Sequence, residues 1–355
     1  MLAGALAPGA IGWTEYGVDM PPTAIVAAVR IPGRDDVLVG IGENTDGSPV
    51  DTAAPFPVAG LTTSLVRTVA LQLVDEGTLD TAATVDRWAP TVPNAGRVTV
   101  QMLLEYTTGW VESGSVEPNP ILADLERTWT LQEVVELEST VVTAEDEPGT
   151  PSSAGNFIDT VLGLIVEEVT GQPLADLVHD RVAVPAGLDD TLLADGVSIP
   201  DGFRHGRVNI NGAVLDTAMV PSAVAYFTYN QAISSVVSTP MDLLDLLDAW
   251  HSGELFTTDR TPAPDRFAPN WDANPNTRAG VDVPFNGYCP CSDTNEGLEV
   301  SKIGRTPFGD FSESFLLRYA DGISVVLTVN TGAVTDPAQL GALVDSVHDI
   351  AAAVA

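Results

Sequence analysis

Three hydroxyl side chains stand side by side at Thr62, Thr63 and Ser64, in the first turns of a predicted helix. A hydroxyl can attack a carbonyl carbon when a base takes its proton, a polar group relays that proton and hydrogen-bond donors hold the oxyanion. The start of a helix favours such a site because its free N–H groups polarise it. Arg67 follows Ser64 at the spacing Ser-x-x-basic, but an arginine stays protonated and is a poor base. The three hydroxyls are therefore candidate nucleophiles without an evident base.

Two other polar side chains could bind a ligand. Lys302 is the only lysine of the chain, against fourteen arginines, and its compact ammonium group could hold a carboxylate. The amide of Asn156 can both donate to and accept from a peptide-like ligand. Gly304, two residues after Lys302, suits a strand edge that a ligand approaches closely. These residues indicate binding rather than bond cleavage.

A long helix must position the hydroxyl row. Gly77 is a common kind of helix stop, and it follows apolar residues that recur at helical spacing. These apolar positions are Leu61, Leu65, Val69, Leu73 and Val74. The pattern predicts an amphipathic helix that starts just after Gly60 and ends at Gly77.

The remaining elements predict one mixed domain over 1–355, with an α/β (α+β) composition. Strands are expected near 23–30, 36–42, 299–304, 312–319 and 323–330. They form a sheet subdomain from about 20–60 and 290–355, onto which a C-terminal helix docks. The stretch 61–250 is expected to be a mainly helical subdomain, and the Pro-, Asn- and Asp-rich stretch 258–286 is expected to be a loop region.

Several segments, taken in order, resemble those of the penicillin-binding and class C β-lactamase-like serine hydrolases, a D-alanyl-D-alanine carboxypeptidase-like family. They are FPVAGLTTSLVRTVALQLVDEG (56–77), VTVQMLLEYTTGW (98–110), SSAGNFIDTVLGLIVEEVTG (152–171), AISSVVSTPMDLL (232–244) and VSKIG (300–304). The resemblance implies an antiparallel sheet flanked by helices, a helical subdomain and an active site between the two parts.

The resemblance also implies that three reactive positions have lost their chemistry. Gly60 stands where the family has the serine of Ser-x-x-Lys, Thr63 stands at the lysine, and Ala154 stands at the tyrosine of Tyr-x-Asn. Asn156 and Lys302 keep the family's residue types in the second and third motifs, and Gly304 completes the third. Tyr106 replaces a histidine, where it is expected to pack.

Three hypotheses follow. The protein could be a non-catalytic member of this family with a remnant cleft for a peptide or a carboxylate-bearing small molecule. It could instead be an active hydrolase with a relocated nucleophile at Thr62, Thr63 or Ser64, or an interaction protein with a vestigial cleft.

The composition narrows the partners. The formal net charge of −34 disfavours nucleic acid and anionic membranes, and it fits an extracytoplasmic or secreted setting. No apolar run reaches the length of a membrane span. Neither a cofactor nor a metal is expected, because Cys289 and Cys291 offer only two ligands, and they could equally form a disulfide or remain thiols. The apolar stretch 1–10 could be part of a signal segment or an ordered arm.

Overall fold

The computed structural model describes residues 14–15, 18–19, 24–43, 47–58, 60–150, 152, 155–197, 207–210, 213–216, 222–256, 298–303, 313–319, 321–330 and 346–354. The predictions for 1–10, Ala154, 258–286, Cys289, Cys291 and Gly304 lie outside these residues.

Fourteen strands are formed in the described part of the chain. They are β1 (Thr14–Glu15), β2 (Val18–Asp19), β3 (Ala24–Arg30), β4 (Val37–Gly42), β5 (Phe56–Pro57), β6 (Trp110–Glu112), β7 (Val142–Ala144), β8 (Leu192–Leu193), β9 (Arg207–Ile210), β10 (Ala213–Asp216), β11 (Val236–Ser238), β12 (Leu298–Ile303), β13 (Glu313–Arg318) and β14 (Ser324–Val329).

Ten α-helical segments accompany these strands, together with a 3-10 turn at Val85–Arg87 and a π turn at His179–Ala183. They are α1 (Leu61–Asp75), α2 (Val100–Leu104), α3 (Pro120–Ala123), α4 (Leu131–Glu138), α5 (Gly155–Thr170), α6 (Leu174–Val178), α7 (Val184–Ala186), α8 (Val224–Tyr229), α9 (Pro240–Ser252) and α10 (346–352).

A five-stranded antiparallel sheet joins the two ends of the chain in the order β12-β13-β14-β3-β4. Its strands lie within one or two residues of the predicted positions. The sheet is covered on both faces, which explains why β3 and β14 read as continuous apolar runs rather than alternating ones. Ala28 and Val326 are cross-strand partners in the cluster that contains α1, whereas Val29 and Val325 pack with Val347 of α10.

Helix α1 is the central element of the remaining part. Every residue from Leu61 to Leu73 is buried, so the predicted helix exists but its expected exposed face does not. The polar positions of that face are accommodated because other elements bond them. The Trp250 indole N–H donates to Thr68 Oγ1 at 3.0 Å, and the Gln72 amide donates to the Leu255 carbonyl at 2.6 Å. Gly77 ends the helix with a positive φ of 75°.

Short sheets interrupt the expected helical stretch. One has the order β5-β11-β8, and two-stranded pairs are formed by β6 with β7 and by β9 with β10. These strands have two to four residues, too few for an alternating pattern to emerge in the sequence. Among the described residues, no helix combines the length and apolar character needed to cross a bilayer.

Candidate functional site

Gly60 lies at the start of α1, where its carbonyl accepts two hydrogen bonds from Thr63. The Thr63 N–H and the Thr63 hydroxyl both lie 3.1 Å from the Gly60 oxygen. Gly60 is buried and has helical dihedral angles of −61° and −11°. Gly60 therefore precedes the first turn of α1 in a regular helical conformation and offers no side chain there.

The three candidate hydroxyls are buried in the structure. The exposed fractions of Thr62, Thr63 and Ser64 are 0%, 1% and 1%. The Val236 N–H donates to Thr62 Oγ1 at 2.9 Å, which ties α1 to β11. The Ser64 hydroxyl has no hydrogen-bond partner among the described residues. None of the three hydroxyls is positioned as an accessible nucleophile.

Arg67 is part of a buried ion pair. Its guanidinium Nε donates to Asp159 Oδ1 at 2.8 Å, and its terminal nitrogens donate to the carbonyls of Leu103 and Leu104 at 3.1 and 2.9 Å. These bonds connect α1 with α5 and α2. Since the guanidinium is held by acceptors and fully buried, Arg67 is unsuited to serve as a base for Ser64.

Tyr106 packs against the core, as expected, and its hydroxyl also forms a hydrogen bond. Its hydroxyl donates to Asp159 Oδ2 at 2.9 Å, and the Arg67 guanidinium carbon lies 4.0 Å from its ring centroid. The backbone of Tyr106 has a positive φ of 53°. Burial raises the pKa of Tyr106 well above its ordinary value, so the hydroxyl stays protonated and acts as a donor. Asp159 is thus bonded by a cation and a phenol.

The segment before α5 is fixed to the segment after α2. The hydroxyls of Thr108 and Ser152 lie 2.8 Å apart, and the Gly109 N–H donates to Ser152 Oγ at 2.9 Å. Gly109 has a positive φ of 72°, and an added Cβ would lie 2.6 Å from the Asp146 carbonyl oxygen. The Ser152 hydroxyl thus connects the two segments.

Asn156 lies in the first turn of α5, where it is half-buried and lines a cleft with a volume of about 260 Å³. Other cleft residues come from β6, α4, the end of α8 and the residue that follows it: Glu112, Glu138, Tyr229 and Asn230. Gly60 is absent from the described lining. The cleft is therefore lined by one predicted ligand-binding residue, Asn156, and by several side chains that were not predicted from the sequence.

Lys302 lies in β12, at the edge of the described five-stranded sheet, where its position pairs with Ser314 of β13. This agrees with a strand-edge place for the third motif. Its role in ligand binding stays a prediction.

Two features of the site were missed. The first is the pair of Arg67 and Asp159. Arg67 interrupts the apolar run of α1 and Asp159 interrupts that of α5, and two opposite charges in apolar helices were a signal from which their pairing could have been predicted. Glu138 and Tyr229 had no comparable signal, because they lie far apart in the sequence. In the described ranges, no group of three or more His, Cys, Asp or Glu side chains is placed to hold a metal ion.

The comparisons with known proteins agree with this architecture. The beta-lactamase family sequence model matches residues 23–348. The chain is similar to the D-amino acid amidase of Ochrobactrum anthropi SV3, solved with D-phenylalanine, at 20% identity and a TM-score of 0.70, over 98% of each chain. The predicted fold, an antiparallel sheet with flanking helices, is confirmed.

Two curated relatives match over part of their length. Penicillin-binding protein 4* of Bacillus subtilis (strain 168) is 27% identical over 176 residues, which cover 47% of this chain and 36% of that protein. Esterase EstB of Burkholderia gladioli is 28% identical over 188 residues, which cover 47% of this chain and 46% of that protein. The matched segments thus span less than half of either relative.

Proposed function

The chain belongs to the beta-lactamase family of serine hydrolases, and we propose that it is a non-catalytic member which retains a ligand-binding cleft. The observation behind this proposal is the start of α1. The family's nucleophile position is occupied by Gly60, and the neighbouring hydroxyls of Thr62, Thr63 and Ser64 are buried.

The chemistry of acyl transfer supports this proposal. A covalent step needs a hydroxyl that can reach the substrate and a base that can accept its proton. At the family's positions, Gly60 supplies no hydroxyl, Thr63 no amine and Ala154 no phenol. Removing the nucleophile or its base lowers the rate by about 10⁶-fold in a well-studied serine hydrolase, so loss of all three predicts no measurable turnover.

A relocated nucleophile is the second candidate function. Ser64 favours it, because its buried hydroxyl is not used by any described hydrogen bond. Against it, Arg67 is bonded to Asp159 and cannot take the proton. Ser152 is also a weak candidate, since its hydroxyl is bonded to Thr108 and to the Gly109 N–H.

The proposed ligand is a small peptide or a carboxylate-bearing molecule that contacts Asn156 and Lys302. The Asn156 amide lines the cleft and has no described side-chain hydrogen bond, so it is available to a ligand amide. Lys302 would supply the cation for a carboxylate. Replacing it by alanine should weaken such binding while arginine should partly preserve it; unchanged binding in Lys302→Ala would instead favour a vestigial cleft.

Covalent labelling tests the non-catalytic assignment. The purified protein is incubated with a fluorescent penicillin and, separately, with a fluorophosphonate, and its intact mass is recorded. We expect no adduct on protein whose folding is verified by circular dichroism. A stoichiometric adduct would contradict the proposal, and peptide mapping of wild type and Ser64→Ala would identify the hydroxyl.

A further inference from the structure

The cleft beside Asn156 has an unusual balance of charges. Glu112 and Glu138 are its charged lining residues, and the described lining contains no lysine, arginine or histidine. Neither carboxylate forms an ion pair with any described residue. A carboxylate ligand entering this cleft would therefore meet like charge, whereas a cation would meet two carboxylates that lack a counter-ion, one of which, Glu138, also accepts a hydrogen bond from the Tyr229 hydroxyl.

A second observation comes from Asn230. This side chain is 3% exposed, lines the cleft and donates its amide nitrogen to the Tyr226 carbonyl at 2.9 Å. Since that carbonyl can only accept, the orientation of the amide is fixed. The Asn230 amide oxygen then accepts no hydrogen bond from any described residue. Asn230 lines the cleft, so a donor inside the cleft would satisfy this amide oxygen.

The apolar residues of the lining indicate what the uncharged part of a ligand should be. Ile121, Val142, Phe157 and Ile233 supply apolar surface beside the polar groups. The volume of about 260 Å³ suits a small molecule. The occupant should therefore combine a compact hydrogen-bond donor with a short hydrocarbon body.

We propose that this cleft binds the ammonium group of a small primary amine, with Glu138, Asn230 and Asn156 as acceptors and Glu112 at its exposed rim. An ammonium group has three donors, which matches this set. The assignment rests on the proposed binding function and refines it, because it adds a cationic end to a ligand whose carboxylate, if present, would lie outside this cleft.

Three probes with a common phenyl ring and similar size separate the effects of charge: benzylamine, benzyl alcohol and benzoate. Titration calorimetry on the full chain should show benzylamine binding more tightly than both others. Glu138→Gln should weaken benzylamine about tenfold and leave benzyl alcohol unchanged, because a charge-assisted hydrogen bond is lost without a change in shape. Glu112→Gln should have a smaller effect, because exposed charges are screened.

The matched control is Glu136→Gln. Glu136 lies on the same helix, α4, but is exposed and bonded to Gln132 at 2.7 Å. Benzylamine affinity should not change in this variant, because it changes the net charge of the protein by the same amount as Glu138→Gln but lies outside the cleft lining. Thermal unfolding of each variant verifies its fold, and if Glu138→Gln does not fold, the order of affinity of the three probes for the unaltered chain still decides the test.

Any of three results would overturn the ammonium assignment. They are no binding of benzylamine, an equal loss of benzylamine affinity in Glu136→Gln and Glu138→Gln, or tighter binding of benzoate than of benzylamine. The labelling experiment is run on the same preparation. An adduct there contradicts the non-catalytic function whether or not the amine binds, whereas failed amine binding without an adduct removes only the ammonium assignment.

Discussion

The guanidinium of Arg67 is bonded to the carboxylate of Asp159 at 2.8 Å, and the two side chains are only 2% and 1% exposed. Each charge lies inside a helix of the core, so neither could be buried alone without a large desolvation penalty. The pair fixes α1 against α5.

Breaking this pair should destabilise the protein strongly. Asp159→Ala leaves the Arg67 charge buried without its counter-ion, and we expect a loss of about 3–5 kcal/mol in the free energy of unfolding. Urea denaturation followed by circular dichroism measures it. The exposed Arg97–Glu147 pair provides the control, since Glu147→Ala should cost less than about 1 kcal/mol. Equal effects at the two sites would contradict a structural role for the buried pair.

The double variant Arg67→Met/Asp159→Leu is a sharper form of the same test. Because both charges are removed together, it should be less destabilised than the sum of the single variants. An additive result would show that the two side chains are not coupled.

Thr62 and Ser64 should respond in opposite ways to loss of the hydroxyl. Thr62→Val leaves the buried Val236 N–H without its acceptor, which should cost about 1–3 kcal/mol. Ser64→Ala removes a buried hydroxyl that has no described partner, so stability should stay the same or rise. Thr62→Ser is the control, because it keeps the acceptor. Thermal unfolding of the three variants gives the order, and a large loss in Ser64→Ala would contradict it.

Gly163 should not tolerate alanine, although alanine favours helices by about 1 kcal/mol. An added Cβ at Gly163 would lie 2.7 Å from the Ala232 Cβ, where α5 packs closely on the chain before β11. Overpacking of this kind costs about 1–3 kcal/mol, so Gly163→Ala should lower the unfolding free energy. Gly96→Ala is the matched control, since a Cβ added at Gly96 would lie 3.7 Å from Asp86 Oδ2, an ordinary contact, and the free energy of unfolding should hardly change. A stabilised Gly163→Ala would show that α5 and the chain before β11 can move apart at no cost in free energy.

Much of the fold follows from local sequence patterns, and the site follows only in part. The strands of the main sheet and the limits of α1 could be predicted because apolar runs and Gly77 are local signals. The burial of α1 could not be predicted, because Trp250, Leu255 and Asp159 reach its polar positions from distant segments. The acidic cleft has the same origin, since β6, α4 and α8 meet only in the folded chain.

Amine binding should depend on pH through Glu138. Loss of hydration raises the pKa of Glu138 to about 7, the Tyr229 hydroxyl partly offsets this, and nearby Glu112 raises it further. An alkylammonium group loses its proton only near pH ~10, so between about pH 5.5 and 8 the carboxylate is the group that titrates.

Benzylamine affinity should therefore rise as the pH increases through about 7, because Glu138 becomes the carboxylate that the ammonium group requires. Calorimetric titrations at pH 5.5, 7 and 8 measure this slope. In Glu138→Gln the slope should flatten, while Glu136→Gln should keep it. Because the folded pKa is raised, the free protein should also lose stability as the pH rises from ~4.5 towards 7, and Glu138→Gln should reduce that loss. An affinity that falls with rising pH would assign the binding to a protonated carboxyl group instead.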